Sequence, residues 1–185
     1  MSELKTWNKK INLTAVVDEN EIIVKHFLDS LIGVKAIDPA SKSLVLDVGS
    51  GGGFPGIPLK IVREDLDCIL IEPNKKKVAF LRHILGCLQL SGITVFQGNF
   101  MTFCNSNVRQ GTIGWIVTRA LNVENMLTQF SSVLGDNGKI LLYRSKPSEE
   151  CVDTRLCIDR HISYQLPHGF GERVLTILKL LDAQT

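Results

Sequence analysis

The chain has 185 residues, of which 44% are hydrophobic and 22% are charged, a balance that suits one globular domain with a short appendage. This balance excludes an intrinsically disordered, collagen-like or coiled-coil protein. No uninterrupted apolar run approaches the roughly 20 residues that a membrane helix needs, and residues 1–12 are polar rather than signal-like. The net charge is only +2, so nucleic-acid binding must be argued from local features.

The cysteines argue against a metal site. There are five of them, an odd number, with no C-x-x-C pair and no His/Cys spacing typical of ligands. We therefore expect no bound metal. Reduced thiols in a cytosolic protein are the simplest interpretation, which predicts a cytoplasmic location.

Helical patterns come first along the chain. Residues 5–13 predict a short helix or loop. Asp18 or Asn20 then caps a helix whose apolar residues recur every three to four positions, and Asp38-Pro39 ends it. We interpret residues 1–39 as a helical appendage and residues 40–185 as the main domain.

Short apolar strands and helical patterns alternate through the centre of the chain. The predicted strands span residues 43–48, 67–71, 93–97, 113–117 and 139–143, and the helices span about 55–62, 75–90 and 123–134. This alternation predicts an α/β fold with a mostly parallel sheet, helices on both faces and a ligand at the carboxyl ends of the strands. Two last apolar runs, 158–166 and 174–181, predict a C-terminal antiparallel hairpin.

A glycine-rich turn, residues 47–56, follows the first strand and opens a helix. Gly49 and Gly51 let the backbone approach a ligand closely, and Ser50 between them is assigned to the same cofactor site. The free N–H groups of the helix start favour an anionic group. Glu72 ends the next strand, 21 residues after Gly51, where an acid suits a pair of ribose hydroxyls. The turn and the acid together predict a nucleoside-containing cofactor.

Two cofactors fit this turn. Residues 51–56 formally match the dinucleotide fingerprint, which would indicate a nicotinamide-dependent oxidoreductase. Residues 47–53 match the D-x-G-x-G-x-G motif of S-adenosylmethionine-dependent methyltransferases, which puts its first glycine directly at the strand end. We favour the methyl donor for that reason. A glycine turn that binds nothing is the third interpretation.

Several motifs together resemble a known family, the glucose-inhibited division protein B family. They are Trp7-Asn8-Lys9 with Asn12-Leu13-Thr14, His26-x-x-Asp29-Ser30, D-V-G-S-G-G-G-F-P-G-I-P at 47–58, Lys76 to Leu81, Thr118-Arg119-Ala120 and Gly171-Glu172-Arg173. That family comprises bacterial methyltransferases that act on a guanine N7 of 16S ribosomal RNA. The resemblance implies a Rossmann-like class I methyltransferase fold, S-adenosylmethionine as cofactor, and 16S rRNA within the small ribosomal subunit as partner.

The resemblance also implies roles for individual residues. Gly49 and Phe54 would line the donor pocket, and Glu72 would take the ribose. Phe100 and Met101 would bracket the adenine, and Arg119 would be the binding arginine at the end of the fourth strand. The chain departs from the family pattern at Asn99, Met101, Gly114 and Arg144. These departures leave open a donor-binding, ribosome-associated protein with little turnover.

Methylation at guanine N7 needs orientation more than acid–base chemistry, because N7 already carries a lone pair. We therefore predict no obligatory catalytic residue and assign Arg119, with its five donors, to orientation, a simple salt bridge being the alternative. For the RNA we predict phosphate contacts from basic residues, although Lys75 and Lys76 also suit a solvated helix start. The predicted contacts are Lys9, Lys75, Lys76, Arg144 and Lys146.

Overall fold

A seven-stranded sheet forms the centre of the computed structural model, which describes residues 1–38, 43–106, 111–119, 123–147 and 155–181. The strands are β1 (Leu44–Val48), β2 (Asp67–Glu72), β3 (Ile93–Gln97), β4 (Ile113–Arg119), β5 (Leu134–Arg144), β6 (Leu156–Gln165) and β7 (Glu172–Leu180). They lie in the order β3-β2-β1-β4-β5-β7-β6. Strands β1 to β5 pair in parallel, and β7 pairs antiparallel with β5 and β6. The predicted sheet and its C-terminal hairpin are therefore confirmed.

The helices connect these strands and also form the N-terminal segment. They are α1 (Ser2–Ile11), α2 (Glu19–Ile22), a π-helix (Ile23–Leu28), α3 (Asp29–Ile32), α4 (Gly56–Val62), α5 (Lys75–Leu88), α6 (Phe100–Cys104) and α7 (Leu127–Val133). Short 3₁₀ turns cover Gly33–Lys35, Glu124–Met126 and Pro167–Gly169. Asp18 caps α2, as predicted, because its side chain accepts a hydrogen bond from the Glu21 N–H at 2.9 Å.

The region from β3 to β5 departs most from the prediction. Helix α6 was not predicted, and Asn99 caps it by accepting from the Thr102 N–H. The predicted helix over 123–134 is shorter, since a 3₁₀ turn precedes α7 and β5 already begins at Leu134. This early start depends on an irregular pairing with β4, in which Ile113 faces Leu134 before Trp115 faces Lys139.

Two apolar clusters cover the two faces of the sheet. One contains Val45 and Trp115 together with Leu4, Ile22 and Ile37 of the N-terminal segment, which are at most 5% exposed. The second cluster contains Leu46 and Ile116 and packs against α6 and α7. The N-terminal helices thus share a core with the sheet, and the predicted boundary at residue 39 lies outside the described residues.

None of the helices within the described ranges is long and apolar enough to cross a membrane.

Candidate functional site

The glycine-rich turn lies at the carboxyl ends of β1 and β2. Gly49, Gly51 and Gly53 have φ values of 76°, 56° and 88°, in the left-handed region that favours glycine. The N–H groups of Gly49 and Ser50 donate to the Ile71 carbonyl at 2.9 and 3.2 Å, which ties the turn to β2. The glycines therefore allow the turn to adopt this conformation, and the hydrogen bonds to β2 make it rigid.

Two glycines of this turn serve different purposes. A Cβ at Gly53 would lie 2.4 Å from the Ile57 side chain, so this glycine permits packing of the turn on α4. A Cβ at Gly51 would meet only the Gly49 carbonyl oxygen, at 3.9 Å, and otherwise points into open space. Open space beside a rigid glycine backbone is the arrangement that a closely bound ligand requires.

Glu72 joins the glycine turn to the start of α5. The residue is 5% exposed, and its Oε2 accepts from the Gly51 N–H at 2.9 Å while Oε1 accepts from the Asn74 N–H at 2.8 Å. A carboxylate has about four lone-pair positions, so each oxygen retains acceptor capacity. Glu72 thus ends β2, as predicted, and its contacts with Gly51 and Asn74 fix its side chain in place.

Asp47 is a candidate site residue that the sequence reasoning quoted in the motif but did not assign. It is 1% exposed; its Oδ2 accepts from the Gly56 N–H at 2.9 Å, whereas Oδ1 has no partner among the described residues. Burial raises its pKa to about 7, and the charge of Glu72 acts in the same direction. Its place as the first residue of the D-x-G-x-G-x-G motif could have identified it from the sequence. A buried carboxyl with a free acceptor can bind a ligand N–H or O–H.

Arg119 ends β4 at the same edge, and the N-terminal segment holds its side chain. Nη1 donates to the Lys25 carbonyl at 2.9 Å and lies 3.3 Å from Asp29 Oδ2, and Nη2 lies 3.2 Å from His26 Nδ1. The guanidinium also lies over the Phe54 ring, 5.5 Å from its centroid. Arg119 therefore lies at the end of β4, as predicted. It also forms an ion pair with Asp29, which is the salt bridge of the alternative interpretation.

His26 is a packed histidine on the π-helix. Its Nε2 lies 2.6 Å from Thr14 Oγ1, and its ring lies 5.1 Å from the Phe54 ring. Burial, with the charge of Arg119 as the next cause, lowers its pKa to about 4. Because arginine only donates, His26 Nδ1 must accept, which places the single ring proton on Nε2.

The aromatic residues predicted for the donor pocket differ in exposure. Phe54 is 9% exposed and packs edge-on against Phe27 at 5.0 Å. Phe100 is 2% exposed and packs against Phe130 at 4.7 Å, which places its ring in the core. Met101 is 48% exposed. Of the two residues predicted to bracket the adenine, Met101 is therefore the one whose side chain a ligand can contact.

The predicted RNA contacts fall into two groups. Lys75 and Lys76 begin α5 and are exposed, and exposed Lys9 lies on α1, which packs against α5 through Trp7 and Phe80 at 5.7 Å. Arg144 ends β5, with exposed Lys146 two positions later. Since β1 and β4 lie between β2 and β5, the two groups lie on either side of the glycine turn.

The described ranges contain no group of three or more His, Cys, Asp or Glu side chains that could hold a metal ion. Ala120 of the Thr118-Arg119-Ala120 motif lies outside them.

Solved structures of low sequence identity share this fold. A S-adenosylmethionine-dependent methyltransferase from Aquifex aeolicus is 14% identical, with a TM-score of 0.61, and the match covers 96% of this chain and 97% of that one. The B. subtilis M1A22 tRNA methyltransferase TrmK is 12% identical, with a TM-score of 0.65, over 86% of this chain and 68% of that one. These likenesses confirm the Rossmann-like class I methyltransferase fold.

Closer relatives identify the family. The family model described as rRNA small subunit methyltransferase G matches residues 1–170. Ribosomal RNA small subunit methyltransferase G from Geotalea uraniireducens is 38% identical over 96% of this chain and 84% of its own length. Its counterpart from Lactococcus lactis is 33% identical over 95% of this chain and 78% of its own length. These matches confirm the predicted enzyme class over the nicotinamide-dependent alternative, and the chain belongs to the rRNA small subunit methyltransferase G family.

Proposed function

We propose that this chain transfers a methyl group from S-adenosylmethionine to N7 of a guanine in 16S rRNA. The observation that carries the proposal is the contact between Glu72 and the Gly51 N–H, 2.9 Å long, at the carboxyl edge of the sheet. This contact joins Glu72, which we expect to bind the ribose, to the glycine-rich turn, which we expect to contact the donor. Membership of the rRNA small subunit methyltransferase G family supplies the RNA substrate class.

The donor would bind across the carboxyl ends of β1 and β2. Glu72 accepts hydrogen bonds from the two ribose hydroxyls, using lone pairs that Gly51 and Asn74 leave free. Gly49 and Ser50 supply turn backbone beside it, and Asp47 Oδ1 accepts from a donor group that reaches beneath the turn. Met101 lies along the adenine with its exposed side chain, while Phe100 supports α6 from the core.

The chain's residues supply orientation rather than proton transfer. When bound, S-adenosylmethionine supplies a methyl carbon that bonds to guanine N7 while its bond to sulfur breaks and the electron pair stays on sulfur. Arg119 orients a neutral or anionic group at this edge, and its pairing with Asp29 offsets its own charge. Neither His26, which burial keeps neutral at working pH, nor any thiol is needed as a base.

The RNA would approach across the basic residues on both sides of the turn. Lys9, Lys75 and Lys76 contact phosphates on the β2 side. Arg144 and Lys146 contact phosphates on the β5 side, where Arg144 is half-buried and Lys146 is exposed. A small basic surface suits an RNA that ribosomal proteins present within the small subunit.

Methyl transfer onto small ribosomal subunits tests the proposal. Subunits that lack the modification are incubated with the protein and tritiated S-adenosylmethionine, and the labelled base is identified after digestion of the 16S rRNA. We expect label in 7-methylguanine from one nucleotide. Label in a different base would contradict the proposed reaction.

One observation favours a second candidate, a donor-binding protein with little turnover. Met101 has a thioether where family members usually carry an acid, so an acceptor for the adenine amino group is missing at that position. Calorimetry with S-adenosylmethionine distinguishes the two candidates. Binding without label in the rRNA would favour this second function.

A further inference from the structure

Asp29 connects Arg119 to a strand at the far edge of the sheet. It lies at the start of α3 and is 4% exposed. Its Oδ1 accepts from the Tyr164 hydroxyl of β6 at 2.6 Å, and its Oδ2 lies 3.3 Å from Arg119 Nη1. Both carboxylate oxygens of a buried acid are thereby used, one for each partner.

The π-helix holds Arg119 from its other side. A π-helix is rare, and where it occurs it is frequently at a functional site. Here it brings the Lys25 carbonyl to Nη1 and His26 Nδ1 to Nη2. His26 is fixed in turn by Thr14, at 2.6 Å. Contacts on both terminal nitrogens determine the orientation of the guanidinium plane as well as its position.

We infer that Asp29 and Tyr164 are positioning residues, which hold the Arg119 guanidinium over Phe54 in the orientation that methyl transfer requires. This inference rests on the proposed function. Tyr164 acts on Asp29, and Asp29 acts on Arg119, so neither needs to touch the donor or the guanine.

The charges explain why an acid and a tyrosine suit this place. Methyl transfer to N7 brings a cationic sulfonium and a purine of growing positive charge to one site, so a lone guanidinium beside them would be repulsive. Asp29 offsets that charge and keeps the planar donor fork. Tyr164 bonds to Asp29 without adding a second cation, and burial followed by its bond to Asp29 raises the pKa of its hydroxyl, which stays a donor.

Tyr164→Phe and Asp29→Asn test the inference in the transfer reaction on small subunits. Tyr164→Phe removes the hydroxyl that donates to Asp29, and Asp29→Asn removes the negative charge beside Arg119. Each change keeps the shape of the side chain. We expect kcat to fall roughly tenfold or more in each, with little change in KM for the subunit or in affinity for S-adenosylhomocysteine. Unchanged kcat in both variants would overturn the inference.

Thr176→Val is the matched control. The buried Thr176 hydroxyl of β7 lies 3.1 Å from His161 Nδ1 of β6, so its loss also disturbs a side-chain hydrogen bond of β6. Thr176 alternates with Leu175 and Ile177, which share a core with the N-terminal segment, so it lies on the face of the sheet opposite Asp29. We expect Thr176→Val to lower the melting temperature at least as much as Tyr164→Phe while kcat stays close to wild type. Equal losses of kcat in Tyr164→Phe and Thr176→Val would mean that Tyr164 is merely structural.

A second readout does not depend on turnover. Phenylglyoxal modifies accessible arginines, and the Arg119 side chain is 17% exposed. Mass spectrometry should show several-fold faster modification of Arg119 in Tyr164→Phe than in wild type or Thr176→Val, and equal rates would overturn the inference. If wild type fails to methylate the subunit, the proposed function fails, and the modification rates still decide whether Tyr164 positions Arg119.

Discussion

The glycine turn and the surroundings of Arg119 lie at the same edge of the sheet, but they are built in different ways. The turn is made of backbone from ten consecutive residues, held by Glu72 only 21 residues from Gly51. Arg119 is held by side chains and a carbonyl that come from the N-terminal segment and, through Asp29, from Tyr164, which is 135 residues from Asp29. The shape of the first, the proposed donor-binding surface, is set by local sequence, whereas the orientation of the second is set by the whole fold.

The difference separates two kinds of failure. A change at Gly51 should abolish ligand binding and leave the fold intact, because the open space beside Gly51 supports no other residue. A change near Arg119 should leave the donor bound but misplace the reacting groups. Binding and turnover measured side by side therefore distinguish the two regions.

Gly51→Val should produce the largest effect on the binding side of this comparison. The new side chain would fill the space beside the turn and would also be strained at a φ of 56°. We expect no measurable S-adenosylmethionine binding by calorimetry, with a circular dichroism spectrum like that of wild type.

Gly86→Ala is the control for that variant. Gly86 lies in α5, and a methyl group added to it would have nothing within 4 Å, so alanine should leave donor binding unchanged and stabilise the helix by about 1 kcal/mol. Wild-type affinity in Gly51→Val would move the donor site away from this turn.

Arg119→Lys tests the orientation side. Lysine keeps the charge next to Asp29 but cannot bond to the Lys25 carbonyl and His26 with a planar fork. We expect turnover to fall roughly a hundredfold, nearly as far as in Arg119→Ala, as misplacement of reacting groups can cost. The assay is single-turnover methyl transfer, with donor affinity measured in parallel. If lysine restored most of the turnover, positive charge alone would suffice at this place.

Glu72→Ala probes the binding side a second time, at the acid that joins the turn to the start of α5. Loss of a charged acceptor should weaken S-adenosylmethionine and S-adenosylhomocysteine equally, by about 1–3 kcal/mol. Calorimetry measures both. Glu64→Ala removes an exposed acid before β2 and should change neither affinity. An unchanged dissociation constant for Glu72→Ala would remove Glu72 from the donor site.

The same contrast explains how far the sequence predicted the structure. Strand β3 was predicted at its observed bounds, and Glu72 ends β2 as predicted, because both follow from local spacing. The ligand roles of these residues stay predictions. Helix α6 was missed because five mostly apolar residues show no helical period, leaving only the Asn99 cap as a signal.

The surroundings of Arg119 could not be derived from the same signals. The bond between Asp29 and Tyr164 depends on β7 lying between β5 and β6, and on the register that places Tyr164 opposite Arg173. The early start of β5 likewise depends on its irregular pairing with β4. Both are set by tertiary contacts rather than by local propensity.

Replacing Lys75 and Lys76 with alanine tests whether RNA binding is separable from both regions. Their side chains are exposed at the start of α5, so donor affinity should not change. The slope of log K for RNA against log salt should flatten by about one unit for each phosphate that the variant no longer neutralises. Filter binding at several salt concentrations measures that slope.

Lys35 and Lys179 provide a charge-matched control for this pair. Lys35 and Lys139 line one groove, and Lys179 of β7 lies opposite Lys139 of β5 in the strand register. Lys139 lies near the amino end of the part of β5 that pairs with β4, so Lys35 and Lys179 lie toward the edge of the sheet opposite the glycine turn. Their replacement removes the same charge and should leave the salt slope unchanged. Equal slopes in wild type and the Lys75 and Lys76 variant would mean that the start of α5 only faces solvent.

The smallest expected effect is the pH dependence that His26 contributes to stability. Its pKa is about 4 in the folded protein and about 6.5 as the ordinary value, so the unfolded state binds more protons between these values. His26 should therefore make stability rise with pH from about 4 to 6.5, by about 1 kcal/mol once solvent screening is allowed for. Protonation below that range would put a cation against Arg119 and weaken the hold of the π-helix on it.

Unfolding curves alone do not isolate this contribution, because Asp47 acts with the opposite sign. Its pKa is raised from 3.8 to about 7, so the folded state binds more protons in that window, and Asp47 makes stability fall as pH rises through it.

Nitrogen-15 NMR reads His26 directly, and we expect a neutral ring with its proton on Nε2 at every pH above about 5. A ring that titrates near 6.5, or one that carries its proton on Nδ1, would show that Arg119 does not donate to it. The guanidinium would then be held from the Asp29 side and the Lys25 carbonyl alone, and the orientation assigned to it would rest on Nη1 rather than on both terminal nitrogens.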